Sequence, residues 1–466
     1  MSSKKISRRE FIILSSLALA GGLAARHDAT PLNRIDGRGH GDGCKGGGRH
    51  GGGCRGGGGT IDPPPGGPFR DPVEMANVSS TPGVFEAVVD AKVTSVNING
   101  TTANLLTYNS SFPGPTVRIN KGDLLKLHFK NSLLPTSETS ILGFQNNVTN
   151  LHTHGLHVSP SGNSDNVFLH FEPGEEFLFE YDTRNHEAGN LNWYHPHRHG
   201  LVAEQLWGGL AGALVVEDDI GVLSSYETHI LILKDISLSG SEPAPHTSSD
   251  YRQGKEGDVV MVNGQVNPVL PIRPGQVQRW RILNASTARY YKLSLENHTM
   301  YLVGTDTNLL DQPYPITEIL LTPGERIDIL VRADQSPGTS RLLSLPHNRG
   351  RNALQTVTLM TMSYEGSPLS ESVPFSINPN AERLDLDIGA LPRKTFVLTM
   401  RMGRGQINGQ DFDVNPYTAT STAGTYEVWE IVNMTMMDHP FHQHVNAAQI
   451  LSETSRKVSE RRQRRG

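Results

Sequence analysis

The sequence has little cysteine and little charge, and it has one strongly apolar run. Its two cysteines, Cys44 and Cys54, both lie in a glycine-rich segment, so the rest of the chain offers no thiolate. Charged residues make up 19% of the 466 positions, and the formal net charge is -5. This balance gives no reason to expect a nucleic acid or an anionic membrane as partner. Outside the apolar run Phe11–Ala20, no segment is apolar enough to span a bilayer.

Glycine, proline and histidine are plentiful instead. The 48 Gly and 29 Pro are spread through the sequence, which favours many short strands joined by turns. A chain of 466 residues has room for two to four domains, each large enough to bury a core. The 19 histidines are the residues whose placement is most informative about chemistry.

Residues 1–25 are interpreted as an export signal rather than as part of the fold. They combine a basic start, the apolar run, and small residues around Gly22–Ala25 where a peptidase could cut. Ser7–Phe11 (SRREF) resembles the twin-arginine pattern, which directs folded proteins to the twin-arginine export machinery. The alternative is an ordinary signal with a chance arginine pair. Either way, the expected location is the periplasm or the cell exterior.

Residues 26–70 contain a ten-residue repeat, HGDGCKGGGR followed by HGGGCRGGGG. A segment this rich in glycine cannot bury a core, so it is predicted to be a flexible linker. Each copy also spaces a histidine and a cysteine four residues apart, as His40/Cys44 and His50/Cys54. Binding of a soft metal or formation of a disulfide therefore remains an alternative to a plain linker.

A larger repeat runs through the remainder of the chain. Segments beginning at Gly122, Gly275 and Gly424 each place an asparagine nine residues later and alternate apolar residues between. The alternation predicts one buried face on each of three equivalent strands, formed by Leu127 and Phe129, Trp280 and Ile282, and Trp429 and Ile431. Three related β-sandwich domains are therefore expected, at residues 71–218, 219–365 and 366–466, with the last one truncated.

Histidine pairs fall in the first and third repeats. The first contains His152 and His154 in HTHG and His195 and His197 in WYHPHRHG, and the third contains HPFHQH from His439 to His444. In a strand, residues i and i+2 face the same side, so each pair delivers two imidazoles to one place. The middle repeat has Tyr290 at the position equivalent to His439. Such pairs suit copper, zinc, iron or nickel, and spacing alone does not choose among them.

The stretches HTHG, WYHPHRHG, GGLAGALVVED and DHPFHQH resemble the multicopper oxidases, the family of laccases, bilirubin oxidases and ascorbate oxidase. The resemblance covers about residues 71–450. It implies an all-β chain of tandem cupredoxin-like Greek-key β-sandwich domains, with a three-copper cluster between the first and third. It further implies that a small reducing substrate (a phenol, a metal ion or a bilin) gives single electrons to a blue copper, and that the cluster reduces dioxygen to water.

The same resemblance assigns roles to individual residues. It implies that His152 and His442 are type 2 copper ligands, and that His439 is a type 1 ligand. The implied type 3 ligands are His154, His195, His197 and His444. Asp165 occupies a place where such enzymes often keep an acid that relays protons, and a plain turn residue is the alternative interpretation.

Other side chains near these motifs carry weaker expectations. His157 and His199 are expected to contact the ligand residues on the side away from the metal, or to lie at the surface. The three methionines that precede His439 are expected to pack in the core; these are Met434, Met436 and Met437.

The family's last motif, HCHxxxH, does not follow HPFHQH in this sequence. The type 1 cysteine, a second type 1 histidine and two type 3 histidines are therefore expected to be missing. The segment after Leu451 carries six basic residues and no apolar pattern, which indicates a frameshift or premature stop. A genuine short form whose basic tail binds an acidic partner is the alternative. Two functions remain open: a laccase-like oxidase, or a non-catalytic copper-binding remnant or cupredoxin scaffold.

Overall fold

The computed structural model of the chain describes residues 9–16, 60–217, 220–306, 308–334, 338–350, 355–381, 384–401, 403–412 and 417–455. These residues form an all-β structure in which the helices are short. The glycine-rich repeat and the basic tail lie outside the described residues. No helix in the described segments combines the length and the apolar character needed to cross a membrane.

Two sheets form the first domain, which follows the short strands β1 (Arg9–Ser16) and β2 (Thr60–Ile61). Its elements are β3 (Val84–Ile98), β4 (Thr101–Tyr108), β5 (Gly114–Ile119), β6 (Leu124–Asn131), β7 (His152–His154), β8 (Glu176–Asp182), β9 (Leu191–His195), α1 (Val202–Gly208) and β10 (Gly212–Val216). The strand orders are β4-β3-β6-β8 and β5-β10-β9-β7. Their facing sides enclose one apolar core that includes Leu127, Phe129 and Tyr181.

The middle domain contains two larger sheets. Its elements are α2 (Gly221–Ser224), β11 (Glu227–Ile236), β12 (Leu238–Ser239), β13 (Glu242–Pro243), α3 (Ser248–Gln253), β14 (Val259–Val262), β15 (Val269–Ile272), β16 (Val277–Asn284), β17 (Tyr291–Leu295), β18 (Met300–Gly304), β19 (Leu309–Ile316), β20 (Ile319–Leu321), β21 (Arg326–Arg332), β22 (Thr339–Leu345) and β23 (Thr356–Tyr364). The strand orders are β14-β11-β16-β21-β18-β19 and β15-β23-β22-β17-β20, and β12 pairs with β13. Residues of β9 and β10 pack against residues of β11 and β16, so a shared apolar layer joins the first two domains.

The third region contributes one sheet among the described residues. Its strands are β24 (Arg393–Arg401), β25 (Arg404–Ile407), β26 (Tyr426–Asn433) and β27 (Ala448–Ser455). The sheet order is β25-β24-β26-β1-β27, so β1 from the predicted export signal pairs antiparallel with both β26 and β27. The assignment of residues 1–25 as a signal stays a prediction.

The repeated Gly-to-Asn segments form equivalent strands. β6, β16 and β26 each begin two residues after the glycine and end at the asparagine, and the three glycines have φ values of 90°, 75° and 76°. Each asparagine side chain accepts a hydrogen bond from the backbone N–H two residues later and donates to a loop carbonyl. The predicted repeat therefore has a structural reason, because the asparagine closes the turn that follows each strand.

The predicted burial of these strands is confirmed for five of the six apolar residues. The exception is Trp429, which is only partly buried and packs against Phe396 and Phe441. In β16 every residue is buried, because the first domain covers the sheet face that would otherwise meet solvent.

The expectation that the methionines before His439 pack in the core is wrong for two of them. Met434 and Met436 are 51% and 76% exposed. They follow the end of β26, where the chain leaves the sheet and the alternation of the strand no longer determines which side chains are buried. Met437 is partly buried.

Candidate metal centre

Four of the predicted ligands lie on two neighbouring strands of the first domain. In the ladder between β7 and β9, His152 is directly opposite His195, and His154 is opposite Trp193. His197 follows two residues beyond the end of β9. The ring centroid of His152 lies 5.1 Å from those of both His195 and His197, and the centroids of His154 and His195 are 5.5 Å apart. The backbone ladder thus fixes these imidazoles as one group.

The loop between β26 and β27 brings two further histidines to the same place. The ring of His442 stacks on His154 with centroids 3.7 Å apart, and the ring of His444 stacks on His152 at 4.3 Å. His442 and His152 have their ring centroids 6.5 Å apart. The structure therefore brings together six of the seven predicted histidine ligands, from the first and third domains.

Two groups of nitrogen atoms have the spacing of a metal site. One ring nitrogen each from His152, His154 and His195 lie within 4.8 Å of one another, and the same holds for His152, His442 and His444. His152 belongs to both groups. Its Nε2 atom is buried and has no hydrogen-bond partner among the described residues, so its lone pair is free to bind a metal. These residues fit a copper site, because copper readily accepts imidazole nitrogen.

Asp165 sets the orientation of His152. Its carboxylate oxygens lie 2.8 and 3.0 Å from His152 Nδ1, and it also accepts a hydrogen bond from the backbone N–H of Thr153 at 2.9 Å. A carboxylate at Nδ1 favours the tautomer with its proton there, which leaves Nε2 unprotonated. Burial raises the pKa of Asp165 to about 6, although the hydrogen bonds from Thr153 act in the opposite direction. Asp165 is thus a buried partner of His152 rather than a simple turn residue.

The histidines of the group are held in the neutral form. Burial lowers the pKa of His152, His154 and His195 well below the ordinary value, and neighbouring imidazoles lower each further. Burial, followed by the nearby His197, lowers the pKa of His444 to about 4. Neutral imidazoles bind metal without first losing a proton, so the group is ready for a metal at neutral pH.

The remaining histidines of the sequence motifs have other surroundings. The Nε2 atom of His439 lies 2.8 Å from the hydroxyl of Thr435, and His439 is in neither nitrogen group found among the described residues. His157 donates from Nδ1 to the carbonyl of Val445 at 3.0 Å, so it supports the loop that carries His444. His199 stacks on Phe412, with ring centroids 4.2 Å apart.

Sequence reasoning missed two residues of the middle domain that lie beside this group. Gly324 has a φ of +84°, and a Cβ atom there would lie 3.2 Å from Cε1 of His154. Arg326 is buried and donates from Nε to the carbonyl of Leu191 at 3.0 Å. Its Nη2 atom also lies 2.5 Å from where a Cβ atom of Gly155 would stand. The Pro-Gly-Glu segment before Arg326 is similar to the one at residues 173–175 of the first domain. This similarity predicts a turn, but it does not predict that Arg326 lies beside the histidines.

The middle domain also contacts the third domain just before the loop that carries His442 and His444. His347 Nε2 lies 3.0 Å from Asp438 Oδ2, and the backbone N–H of Asp438 donates to the carbonyl of Arg349 at 2.8 Å. A Cβ atom at Gly350 would clash with the carbonyl of Met436. The domain that has no paired histidines therefore contacts His154 and, in the third domain, the segment at residues 436–438 that precedes His442 and His444.

Comparison with known proteins gives a consistent result along the chain. Three family models, each described as Multicopper oxidase, match residues 90–220, 221–367 and 384–465. Together they cover most of the sequence.

Similar proteins include both oxidases and a protein of another description. The multicopper oxidase mco of Staphylococcus aureus is 30% identical over 372 residues, which are 78% of this chain and 74% of that protein. The cell division protein FtsP of Rahnella is 26% identical over 72% of this chain and 70% of its own. The solved structure of a multicopper oxidase from Campylobacter jejuni, described as a metallo-oxidase, has a TM-score of 0.70, 26% identity and 82% coverage of each chain.

Proposed function

The chain belongs to the multicopper oxidase family, an oxidoreductase family with cupredoxin-like domains, and from that premise we propose a specific function. It is an exported, laccase-like enzyme that takes single electrons from a small reducing substrate and passes them to dioxygen. The substrate is a phenol, a metal ion or a bilin.

The observation that supports this proposal most strongly is the convergence of six imidazoles with an unpartnered nitrogen at their centre. His152 and His442 are proposed to hold the type 2 copper. The proposed type 3 ligands are His154, His195, His197 and His444. Copper, when bound, supplies the one-electron redox chemistry that no protein side chain of this group provides.

The protein's own residues prepare the site. Asp165 holds a proton on Nδ1 of His152, so that Nε2 keeps its lone pair directed at the metal position. The surrounding apolar residues, including Trp193 stacked on His195 at 4.0 Å, exclude water from one side of the group. Because the pKa of Asp165 is about 6, its carboxyl group can hold or release a proton close to neutral pH. That property suits it to proton delivery towards dioxygen.

The electron entry site is proposed to be incomplete in these 466 residues. A type 1 copper needs a thiolate, and the two cysteines at positions 44 and 54 precede the first domain. The imidazole of His439 is hydrogen-bonded to Thr435 instead. We therefore expect copper-loaded protein of this sequence to lack the intense blue colour of a thiolate-bound copper, and to oxidise phenols close to the background rate.

Domain limits and export are part of the same proposal. Residues 71–218, 219–365 and 366–466 form the three domains, and residues 1–25 direct export to the periplasm or beyond. Replacing Arg8 and Arg9 by lysine should leave the precursor in the cytoplasm. Unchanged export of that variant would contradict the twin-arginine route.

A non-catalytic copper-binding or scaffold role is the alternative, and similarity to the cell division protein FtsP is the observation that favours it. The paired histidines argue against a purely copper-free scaffold.

Metal analysis and oxygen uptake separate the two roles. The full chain is loaded with copper, its copper content is measured, and dioxygen consumption is followed with a phenol or ferrous iron. Copper that is lost on His152→Ala supports the proposed cluster. Oxygen uptake above background that depends on His152 would support an oxidase and would contradict the incomplete electron entry site. Copper content that is equal in the variant and the unchanged chain would refute the cluster.

A further inference from the structure

A cavity outside the group of histidines lies between the first domain and a segment of the middle domain. It has a volume of about 330 Å³ and is bounded by β4, α1, the loop at residues 139–147 and the segment at residues 242–246. That volume falls within the range of small-molecule binding sites in proteins. The cavity is not part of the copper centre proposed above.

The walls of the cavity combine polar side chains with an apolar part that contains the ring of Trp207. Trp207 is buried and is fixed by a hydrogen bond from its Nε1 to the carbonyl of Ala244 at 3.0 Å. Leu106 and Pro243 line the same space. His246 lies edge-on to Trp207 with ring centroids 5.9 Å apart. A flat apolar ring of matching size would bury its surface between these groups.

Two polar atoms in the walls are buried and have no partner among the described residues. They are Oε2 of Glu204 and Nε2 of His246. The other oxygen of Glu204 accepts a hydrogen bond from the hydroxyl of Tyr251, so the carboxyl group is held in place. An unpartnered buried polar atom is costly, and a ligand that supplies the missing hydrogen bond removes that cost.

The charges around the cavity are unequal. Two carboxyl groups, those of Glu204 and Glu242, line it, and within the described part of the chain no Lys or Arg does. The nearby Lys255 is committed to the carbonyls of Ala244 and Pro245, at 2.7 and 2.6 Å. Burial and the charge of Lys255 lower the pKa of His246 to about 4, so its imidazole is neutral at pH 7. The ammonium of Lys255 lies 4.8 Å from the centroid of the Trp207 ring and its charge acts on Glu204, but it makes no hydrogen bond to Glu204 Oε2. Two carboxyl groups beside one lysine favour one further cationic donor.

We propose that this cavity binds a small arylalkylamine, with its ammonium group on Glu204 and its ring against Trp207. The ammonium supplies the donor that Glu204 Oε2 lacks, and the ring fills the apolar part of the cavity. Binding here is separate from any oxidation at the copper centre.

Phenethylamine is a suitable probe, because it has an ammonium group and a phenyl ring but no phenolic hydroxyl to be oxidised. Binding to the full 466-residue chain is measured by isothermal titration calorimetry. Two matched compounds keep the ring and change the charge: 2-phenylethanol is neutral and phenylacetate is an anion. We expect saturable binding of the amine, weaker binding of the alcohol and the weakest binding of the acid. Equal affinity for the three compounds, or no saturable binding of the amine, overturns the proposal.

Variants of the cavity locate the binding site. Glu204→Gln keeps the shape and removes the charge, and it should weaken phenethylamine binding at least about tenfold. His246→Phe keeps a ring and removes Nε2, with an expected loss of roughly threefold. The control Glu176→Gln changes an exposed glutamate on β8 and should leave the affinity unchanged.

Two further measurements keep the result interpretable. Tyr251→Phe keeps the charge of Glu204 and removes only the hydroxyl that positions its carboxyl group, so it should weaken amine binding less than Glu204→Gln does. The copper content of Glu204→Gln should equal that of the unchanged chain. Amine affinity that is unaltered in Glu204→Gln would refute the site, and it would leave the proposed oxidase function untouched.

Discussion

The two halves of the histidine group are built differently. In the first domain, His152, His154 and His195 lie on paired strands, are nearly fully buried, and have fixed partners such as Asp165. In the third domain, His442 and His444 lie in a loop between strands, and His442 is exposed. Strand pairing thus presets one half, whereas the other half depends on docking of a loop.

The docked loop is held by contacts that are themselves shared between domains. His157 of the first domain binds the carbonyl of Val445, and His347 of the middle domain contacts Asp438. The position of a ligand in a loop is therefore determined by residues that are distant in the sequence. Changes in the first-domain half should therefore affect metal binding more than changes in the third-domain half, and the following four predictions test that difference.

The largest effect is expected for His152→Ala, since His152 belongs to both nitrogen groups. Most of the cluster copper should be lost, whereas His444→Ala should retain part of it because the first-domain group remains intact. The measurement is copper per protein after exhaustive dialysis, with His170→Gln at the surface as the control. Equal losses for His152→Ala and His444→Ala would contradict the difference between the halves.

Gly155→Ala should destabilise the fold that supports the first-domain half of the histidine group. Gly155 has a φ of +100°, and a Cβ atom would meet Asn192 and Arg326. Gly122→Ala is the matched control, because Gly122 has a φ of +90° but open space around it. Urea unfolding should show a loss of about 1–2 kcal/mol for Gly122→Ala from backbone strain alone, and about 3 kcal/mol or more for Gly155→Ala. Similar losses of stability in the two variants would mean that the close approach of Arg326 to Gly155 is unimportant.

Asp165→Asn should weaken copper binding without unfolding the protein. The amide no longer favours the proton on Nδ1 of His152, so Nε2 is less available, and affinity should fall about 10- to 100-fold. Competition with a copper chelator measures the affinity. Asp182→Asn, at an exposed carboxylate paired with Arg184, is the control and should have no effect on copper binding. Unchanged affinity in Asp165→Asn would show that the carboxylate does not act through His152.

The smallest effect concerns pH and the docked loop. In copper-free protein, the pKa of His444 is lowered to about 4 from an ordinary value of 6.5. As pH falls from about 6.5 to 4, the unfolded chain gains a proton that the folded chain does not, so the free energy of unfolding should decrease. Asp165, with its pKa raised to about 6, opposes this trend, because its protonation favours the folded state.

Urea unfolding at several pH values checks this trend. The contributions of His444 and Asp165 largely offset each other, so the comparison with His444→Gln is the informative one. The variant should lose about 1–2 kcal/mol less than the unchanged chain as the pH falls. An identical pH dependence in the variant would contradict the assignment to His444.

The sequence is sufficient for the parts of this protein that rest on local periodicity. Two histidines at i and i+2 on a strand must share a side, so the HTHG motif alone places His152 beside His154. The repeat that ends at Asn131, Asn284 and Asn433 likewise reflects a local turn. These features are determined within a few residues of chain.

Features that depend on the packing of distant segments could not be predicted in the same way. The approach of Arg326 to Gly155 and of Gly324 to His154 joins two domains, and no local pattern encodes it. The exposure of Met434 and Met436 follows from the end of the strand at Asn433, whereas their apolar character alone suggests burial. The resemblance to the multicopper oxidases implies an acid near the site at Asp165, but its bond to His152 depends on the fold.

The contact between His157 and Val445 also bears on how the protein folds. These residues are 288 positions apart in the chain, and the whole middle domain lies between them. Contacts of such long sequence separation form late, because the entropy of closing the intervening loop must be overcome first. During synthesis the first domain can fold before the third has left the ribosome. The group of histidines is therefore among the last parts of the molecule to be assembled, and metal that arrives earlier meets only the preset half.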